Sequence, residues 1–285
     1  MALTGSLHGI AQVVTALQLF LGDAATARPI TWSTYRQLVP FEQLDVAGAP
    51  RELVALGGVL DAATLISAYR NGAFPWPPSD RDAAAHERSV RRLARRGAVP
   101  VLPTPAGQRL LPWVSPHPRA VLLPHRLSVP RSLRQQLRRC GWQASADAAF
   151  AEVVAGCADR PDTWITGQMR EAYAELHRLG VAHSVEVWSG ERLVGGLYGV
   201  LIGRVFSGES MFHRQSGASK VALVDLCTRL VAADVPLLDT QQESEHVTAM
   251  GQVLVSRQEY VEVVHALRDT PAVLGTTRRP VAELA

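Results

Sequence analysis

The sequence is poor in cysteine. Its three cysteines, Cys140, Cys157 and Cys227, lie far apart and form no C-x-x-C pair. An odd number of widely spaced cysteines argues against a disulfide framework and against a zinc ribbon. We therefore expect reduced thiols in a cytoplasmic protein without a metal site.

The sequence also lacks a long hydrophobic run near its N-terminus. The apolar stretch from Ile10 to Leu21 is shorter than the roughly 20 residues that a helix needs to cross a bilayer, and no basic segment precedes it. We expect neither membrane insertion nor secretion.

Neither sign of charge dominates the composition. Lys and Arg number 29 against 26 Asp and Glu, a formal net charge of +3. The arginines are unevenly placed, which predicts a local basic surface and an acidic polymer as a partner. With 47% hydrophobic residues among 285, the chain can bury a sizeable core in one large or two modest domains.

Shifts in composition divide the chain into four parts. They are an extension of unknown role (1–50), an N-terminal domain (51–120), a main domain (121–270) and a C-terminal tail (271–285). Pro-rich edges mark residues 77–112 as an insertion within the N-terminal domain. Its basic stretch, Arg88 to Arg96, has little apolar face, so we expect a solvated helix there.

The hydrophobic pattern predicts an order of elements. A helix begins at the N-cap Asp61 and ends at Asn71-Gly72, and a second helix begins with Pro130. Later elements alternate between helix and strand. They are helices at about 148–157 and 167–179, strands at 182–188, 192–201 and 205–212, a helix at 219–233 and a strand at 236–241. An antiparallel meander, a helix and another strand are the order expected of an acyltransferase-like α+β sheet.

Two polar side chains near the end of the last expected strand are candidates for chemistry. Asp239 and Gln241 lie two residues apart, so both project from one face of a regular strand and can meet one substrate amine. The alternative is that Asp239 is a solvated or capping carboxylate.

Glu209 is a third polar candidate. It lies in an expected strand of apolar or small residues, where an unpaired carboxylate is costly. It therefore needs a cationic partner, and one candidate is an Arg or Lys of the protein itself.

Four arginines share one face of the helix that begins with Pro130. They lie at positions i, i+3, i+7 and i+8, while Leu133 and Leu137 share another face. These arginines are Arg131, Arg134, Arg138 and Arg139. A one-sided arginine stripe is typical of a phosphate-binding surface, and a generic solvated face is the competing interpretation.

Several short strings, taken in order, resemble the leucyl/phenylalanyl-tRNA protein transferase family between about residues 53 and 265. The Gly208-Glu209-Ser210-Met211-Phe212 and Asp239-Thr240-Gln241 strings, with His246 and Gly251 beyond them, are highly specific together. The remaining strings are Leu56-Gly57-Gly58, Phe74-Pro75-Trp76, Thr163-Trp164-Ile165-Thr166, His183-Ser184-Val185-Glu186-Val187-Trp188, Gly195-Gly196-Leu197-Tyr198-Gly199 and Ala218-Ser219-Lys220.

The resemblance implies a fold and a reaction. The fold is an α+β one, a GNAT-like acyltransferase domain with a smaller N-terminal α/β domain. In the reaction, Leu or Phe, and less well Met, passes from aminoacyl-tRNA to the N-terminal α-amine of proteins that begin with Arg or Lys. This transfer marks the acceptor for degradation by the N-end rule. Aminolysis of an ester needs no nucleophilic side chain, and we expect no cofactor.

The resemblance also implies residue roles. Asp239, Gln241 and Glu209 take the catalytic positions, and the α-amino group of the donor aminoacyl group is the cation that Glu209 needs. Which carboxylate is the base, if any, stays open.

Donor-binding roles follow by the same correspondence. The apolar donor side chain is expected in a pocket lined by Leu197, Met211, Leu226 and Leu238, where Met can adapt to two shapes. Without the family these residues would be ordinary core. Leu238 and Asp239 are adjacent, so both can serve one site only if a β-bulge intervenes.

Three aromatic residues complete the expected site. Trp76, Trp164 and Phe206 correspond to positions around the terminal adenosine of the tRNA or the donor side chain. Stacking on such rings suits a single-stranded CCA end, and core packing is the alternative.

Two other functions remain open from the sequence. An acyl-CoA-dependent N-acetyltransferase would share the fold, but its pyrophosphate loop needs [QR]-x-x-G-x-[GA], and Arg214-Gln215-Ser216-Gly217-Ala218-Ser219 fails at the last position. A catalytically silent RNA-binding protein would use the arginine face alone.

Overall fold

The chain folds into a mixed α+β structure with two sheets. The structure, a computed structural model, describes residues 41–78, 83–161 and 163–285. Most of the expected extension, including the stretch from Ile10 to Leu21, lies outside these residues.

Eight α-helices occur in the described part of the chain. They are α1 (Ala62–Arg70), α2 (Ala83–Arg95), α3 (Arg131–Arg139), α4 (Phe150–Ala158), α5 (Gly167–Arg178), α6 (Ala218–Ala232), α7 (Glu245–Thr248) and α8 (Arg257–Leu267). None of them is long and apolar enough to cross a membrane.

A small sheet forms from the first four strands. These are β1 (Leu53–Gly57), β2 (Phe74–Pro75), β3 (Val101–Leu102) and β4 (Pro112–Val114), in the order β2-β4-β1-β3. β1 pairs parallel with β3 and antiparallel with β4. β1 and β2 precede the expected insertion (77–112), β4 begins at its last residue, and β3 lies inside it.

The insertion contains the expected helix, and most of its described side chains are exposed, but it also packs against this sheet through a narrow apolar face. Val90 of α2 is 2% exposed and forms an apolar cluster with Leu56 of β1 and Val99. Leu93 also packs against this cluster. Val90 and Leu93 are three residues apart and share a face of α2. The five arginines between positions 88 and 96 make this narrow apolar stripe hard to recognise in the sequence.

The large sheet has eight strands in the order β11-β5-β10-β9-β8-β7-β6-β12. The strands are β5 (Arg119–Leu122), β6 (Gln143–Ala146), β7 (Ala182–Ser189), β8 (Arg192–Ile202), β9 (Val205–His213), β10 (Leu237–Gln241), β11 (Val253–Val255) and β12 (Arg279–Pro280). The predicted meander is confirmed, because β7, β8 and β9 pair antiparallel in sequence order. β12 comes from the expected tail and pairs with β6.

Alternation along the strands gives the large sheet a core on each face. Tyr198 belongs to the core that includes α4 and α5, whereas its neighbour Leu197 belongs to the core that includes α3 and α6. Period-two alternation of side chains accounts for this division.

The predicted helices and strands from residue 148 to 241 are confirmed within one or two residues. Asp61 is the N-cap of α1, and its carboxylate accepts the amide of Thr64 at 2.8 Å. Pro130 is the residue before α3 rather than its first helical residue. The pattern missed the short strands β6, β11 and β12, which contain at most four residues each.

Candidate active site

The candidate site lies where two neighbouring strands part. β9 and β10 are the parallel pair of the large sheet, and their pairing ends at Ser207 and Asp239. Beyond this point the side chains of Glu209 and Gln241 meet across the opening. The amide nitrogen Nε2 of Gln241 donates to Oε1 of Glu209 at 3.2 Å.

Both strands are irregular at this point. On β9, Tyr198 pairs with Ser210 and Gly199 with Gly208, so Glu209 is an extra residue in the strand. On β10 the register with β5 shifts between Asp239 and Gln241. A bulge turns a side chain away from the regular direction of its strand.

The strand geometry predicted for Asp239 and Gln241 therefore does not hold. Gln241 has a positive φ of +59°, outside strand geometry, so the two-residue spacing does not put both side chains on one strand face. The irregularity predicted between Leu238 and Asp239 occurs after Asp239 instead. The two residues nevertheless join one network, because the backbone amide of Gln241 donates to Oδ1 of Asp239 at 2.9 Å.

Asp239 is fully buried and accepts hydrogen bonds on both carboxylate oxygens. Arg119 donates from Nε to Oδ1 at 2.8 Å and from Nη2 to Oδ2 at 2.7 Å. Tyr260 and Ser207 donate their hydroxyl groups to Oδ2 at 2.7 and 3.2 Å. With the Gln241 amide on Oδ1, this carboxylate is held in place and shielded from solvent, so it acts on the site through Gln241.

Arg119 connects the two sheets. Its guanidinium lies over the rings of Phe74 and Tyr260, 4.9 and 4.2 Å from their centroids, and donates to the carbonyl of Gly72 at 3.3 Å. Burial acts to lower the pKa of Arg119, but the carboxylate of Asp239 and the hydroxyl of Tyr260 together outweigh it and raise that pKa. The side chain therefore stays charged and fixes β10 against the α1–β2 turn.

Glu209 has a different environment. It is half-buried, and its Oε2 accepts a hydrogen bond from the hydroxyl of Tyr173 at 2.7 Å. The Tyr173 hydroxyl lies 2.6 Å from that of Tyr69 on α1. Burial raises the pKa of Glu209 to about 7, although the tyrosine hydrogen bonds act to lower it.

The expected cationic partner of Glu209 is not a side chain of the described residues, since no ion pair to Glu209 occurs among them. The alternative of a salt bridge to a protein Arg or Lys is therefore wrong for this part of the chain. A half-buried carboxylate without a cation suits an amine from a substrate.

Two of the three expected aromatic residues form a pair. The indoles of Trp76 and Trp164 stack with centroids 6.0 Å apart and planes 12° from parallel, and Trp76 is 38% exposed. Phe206 is not part of this pair. It is fully buried in the core on the other face of the large sheet.

The four expected pocket residues lie in that same core. Leu197, Leu226 and Leu238 are each 4% exposed or less, and Met211 is partly buried at the edge of the core. Met211 is two residues from Glu209 on β9. The four residues therefore share one core, with Met211 at its accessible side, which also agrees with the alternative of ordinary core packing. Their role in binding the donor side chain stays a prediction.

The arginine stripe is exposed. Arg131, Arg134, Arg138 and Arg139 are all exposed on α3, and Leu133 and Leu137 are buried beneath them. The segregation of charge predicted from the spacing is confirmed.

The turn before α6, where an acyl-CoA enzyme needs its pyrophosphate loop, is occupied by a neighbouring side chain. Gln136 of α3 donates from Nε2 to the carbonyl of Ser216 at 2.7 Å and packs against Gly217. A pyrophosphate group bound at this turn would have to displace the Gln136 side chain.

The family assignment rests on two sequence matches. A model of the leucyl/phenylalanyl-tRNA protein transferase matches residues 121–265, and a model of the N-terminal domain of the same transferase matches residues 58–83. The first match covers half of the chain and contains Glu209, Asp239 and Gln241. The chain belongs to the leucyl/phenylalanyl-tRNA protein transferase family.

Individual members of this transferase family are similar over most of their length. The leucyl/phenylalanyl-tRNA–protein transferase of Shewanella baltica (strain OS155) is 39% identical over 241 residues, 82% of this chain and 90% of that protein. The transferase of Xanthomonas campestris pv. campestris (strain B100) is 43% identical over 220 residues, 75% of this chain and 77% of that protein.

A solved structure gives a much weaker likeness. A functionally unknown conserved protein from Staphylococcus epidermidis ATCC 12228 aligns with a TM-score of 0.35 and 8% identity, over 49% of this chain and 57% of that chain. Values this low do not indicate a shared fold.

Four residues of the site in this transferase were not predicted from the sequence. Arg119 and Tyr260 hold Asp239, and Tyr173 and Tyr69 hold Glu209. A buried carboxylate requires donors, so the sequence does indicate that such partners exist. Their identity depends on tertiary contacts, because Arg119 and Asp239 are 120 positions apart.

Proposed function

We propose that this chain transfers a leucyl or phenylalanyl group, and less well a methionyl group, from aminoacyl-tRNA to the N-terminal α-amine of proteins that begin with Arg or Lys. The product would be marked for degradation by the N-end rule, in the cytoplasm. Family membership supports the reaction class. The environment of Glu209 supports the assignment of the reaction to this part of the structure.

The observation that carries the proposal is the contrast between the two carboxylates. Asp239 is paired with Arg119 and closed to solvent, whereas Glu209 is half-buried, forms no ion pair with any described residue, and has a pKa of about 7. A general base is most effective when its pKa lies near the working pH. Glu209 is therefore the better base.

The reaction needs one proton transfer as the tetrahedral intermediate forms and another as it breaks down. The neutral α-amine attacks the carbonyl carbon of the aminoacyl ester, and a C–N bond forms. Glu209 takes one proton from the attacking nitrogen. The bond between the carbonyl carbon and the ribose oxygen then breaks, and that oxygen takes up a proton as the hydroxyl of the freed tRNA.

Gln241 orients the amine beside Glu209. Its side-chain amide already donates to Glu209, which leaves its carbonyl oxygen to accept from an amine. Asp239 acts as a positioning residue, since it accepts the backbone amide of Gln241.

The donor is bound on two sides. The exposed Trp76 with its partner Trp164 offers aromatic surface for the terminal adenosine, and Met211 offers the entrance to the apolar core for the donor side chain. The arginine stripe on α3 contacts phosphates of the tRNA.

We further propose the finer fold assignment, a GNAT-like domain over residues 121–270 with a smaller N-terminal domain over residues 51–120. The order of meander, helix α6 and parallel strand β10 supports it.

A transfer assay with three arms tests the function. Purified protein is given labelled Leu-tRNA with an Arg-initiated peptide, acetyl-CoA with the same peptide, or Leu-tRNA alone. Label on the peptide in the first arm is the expected result. Acetylation in the second arm, or tRNA retention without transfer, would replace the proposal with an N-acetyltransferase or a silent RNA-binding protein.

A further inference from the structure

A cavity of about 560 Å³ lies outside the carboxylate site. Its walls come from the end of β1, the residues after Trp76, helix α2, the loop before β4 and the start of α5. Side chains or backbone of Leu60, Pro77, His86, Arg109, Gly167 and Gln168 contribute to it. Small-molecule sites commonly have volumes of about 300–1,000 Å³, so the cavity has the size of a binding site.

The cavity adjoins the indole pair. Pro77 follows Trp76 directly, and Thr166, another lining residue, is two positions after Trp164. When the terminal base of an RNA strand stacks on these indoles, the penultimate nucleotide of that strand lies at the cavity.

Helix α5 gives the distance from the cavity to the carboxylate site. Gly167 begins α5 at the cavity, and Tyr173, six residues later, donates its hydroxyl to Glu209. At 1.5 Å per residue the two points lie roughly 9 Å apart along the helix. One nucleoside spans such a distance. The terminal adenosine therefore fits between the cavity and the aminoacyl ester at the carboxylate site.

The polar groups of the cavity suit a sugar-phosphate unit. Thr166 accepts the amides of Met169 and Arg170, which leaves the first-turn amides of Gly167 and Gln168 for a ligand. Nε2 of His86 is buried and has no hydrogen-bond partner among the described residues. Apolar groups on the wall, such as Leu60 and Pro77, offer a surface for the flat face of a base.

Charge in the surrounding segment favours an anion. Residues 83–109 contain six arginines and one glutamate. Arg109 and that glutamate, Glu87, both belong to the cavity wall, and Glu87 is paired with Arg91 at 2.6 Å. A neighbouring depression is acidic, with Asp61, Glu171 and Glu175. An RNA strand that leaves the cavity is therefore directed towards the arginines of α2.

We propose that this cavity binds the penultimate nucleotide of the aminoacyl-tRNA, with its phosphate near Arg109, His86 and the first turn of α5. The inference rests on the proposed transfer reaction and adds a nucleotide subsite to it. Except for its first residue, Ala83, helix α2 lies outside both segments that match the family models. His86 and Arg109 of the subsite therefore come from the inserted segment, whereas other wall residues, such as Leu60 and Gly167, come from the matched segments.

Two short donors test this subsite. Leucyl-adenosine ends at the indole pair, and leucyl-cytidylyl-adenosine adds the nucleotide assigned to the cavity. With the wild-type protein we expect the added nucleotide to lower the KM by about tenfold, which corresponds to about 1.4 kcal/mol. The double variant His86→Ala/Arg109→Gln should lose most of this advantage and keep the wild-type rate with leucyl-adenosine.

Arg92→Gln is the matched control, because Arg92 is an exposed arginine of α2 that does not line the cavity. It should keep the tenfold advantage. Equal KM values for the two donors in the wild-type protein would overturn the proposal, and so would an equal loss with both donors in the double variant. A selective rise in the KM for the acceptor peptide would assign the cavity to the acceptor instead.

The failure of the reaction itself has a different signature, namely no transfer from either donor by the wild-type protein. In that case the unreactive dinucleotide cytidylyl-adenosine is titrated against the tryptophan fluorescence. A weaker Kd in the double variant than in Arg92→Gln supports the subsite, and equal Kd values overturn it.

Discussion

The two carboxylates of the site, Asp239 and Glu209, differ in the groups that surround their charge. Arg119 and Asp239 neutralise each other in a buried pair, whereas the donors to Glu209 in the described part of the chain are a hydroxyl and an amide. The two carboxylates therefore respond differently to substitution and to pH.

Replacement of Glu209 by Gln should lower kcat/KM for transfer by about 10²- to 10⁴-fold, the usual contribution of a general base. The wild-type rate should rise with pH through about 7, where Glu209 loses its proton. In the variant only the titration of the acceptor amine, at about 7.7–8.0, should remain. Rates measured from pH 5.5 to 9 check this. A higher donor KM with unchanged kcat would instead mean that Glu209 only binds the donor amine.

The same carboxyl group should make stability depend on pH. Its pKa is about 7 in the folded protein against an ordinary value of 4.5, so the folded state binds the proton more tightly. The stability linked to this proton is complete below about pH 4.5 and is lost as the pH rises through 7. Because Glu209 is half-buried, we expect Glu209→Gln to gain about 1–2 kcal/mol over the wild type at pH 8 relative to pH 4.5.

Urea unfolding at the two pH values measures this gain. Glu152→Gln, a change at an exposed residue of α4, is the control and should show no such difference. An equal response of both variants would contradict the assignment of the shift to the burial of Glu209.

The buried pair of Arg119 and Asp239 predicts a larger change in the free energy of unfolding. Arg119→Met leaves Asp239 buried without its cation, and we expect a loss of about 3–5 kcal/mol in the free energy of unfolding. Arg91→Met breaks an exposed pair with Glu87 of 2.6 Å and should cost less than about 1 kcal/mol. Similar losses in the two variants would refute the structural role of Arg119.

At the scale of elements, helix α2 is attached by few residues. Val90 is nearly fully buried against Leu56, so Val90→Ala should destabilise the protein by about 2 kcal/mol. Thermal or urea unfolding measures the change, with the exposed Ser89→Ala as control. No change in the Val90 variant would mean that α2 is not part of the cooperative unit.

The arginine stripe of α3 is a second prediction at this scale. The double variant Arg134→Gln/Arg138→Gln should reduce the slope of log affinity for tRNA against log salt by about 1.5, because each phosphate contact contributes about 0.7–0.9. Arg178→Gln/Arg192→Gln removes the same charge at exposed positions outside the stripe. Equal effects of the two double variants would contradict a specific surface.

Elements were more predictable from the sequence than the contacts between them. α1 is marked at both ends by Asp61 and Asn71-Gly72, and the meander is marked by period-two alternation and the turn near Gly190. The bulges at Glu209 and after Asp239 leave no such mark, because an extra residue in a strand changes no local propensity. The partners of Asp239 come from three other segments of the chain and were therefore out of reach.

At the scale of the whole molecule, the two sheets are joined at the site. Arg119 of the large sheet lies over Phe74 of the small one, and Tyr69 of α1 meets Tyr173 of α5. In the proposed function the donor lies across this junction, with its adenosine at the indoles and its aminoacyl group at β9 and β10. A change in how the two sheets pack would therefore alter donor binding and the position of Glu209 together.

The structure of a complex with puromycin, an unreactive mimic of aminoacyl-adenosine, tests this arrangement most directly. We predict that its adenine-derived base lies against Trp76, that its amino-acid side chain enters beside Met211, and that its carbonyl carbon faces the opening between Glu209 and Gln241, where an amine held by both can approach to about 3–3.5 Å. Puromycin bound elsewhere, or with its carbonyl carbon remote from Glu209 and Gln241, would contradict the account.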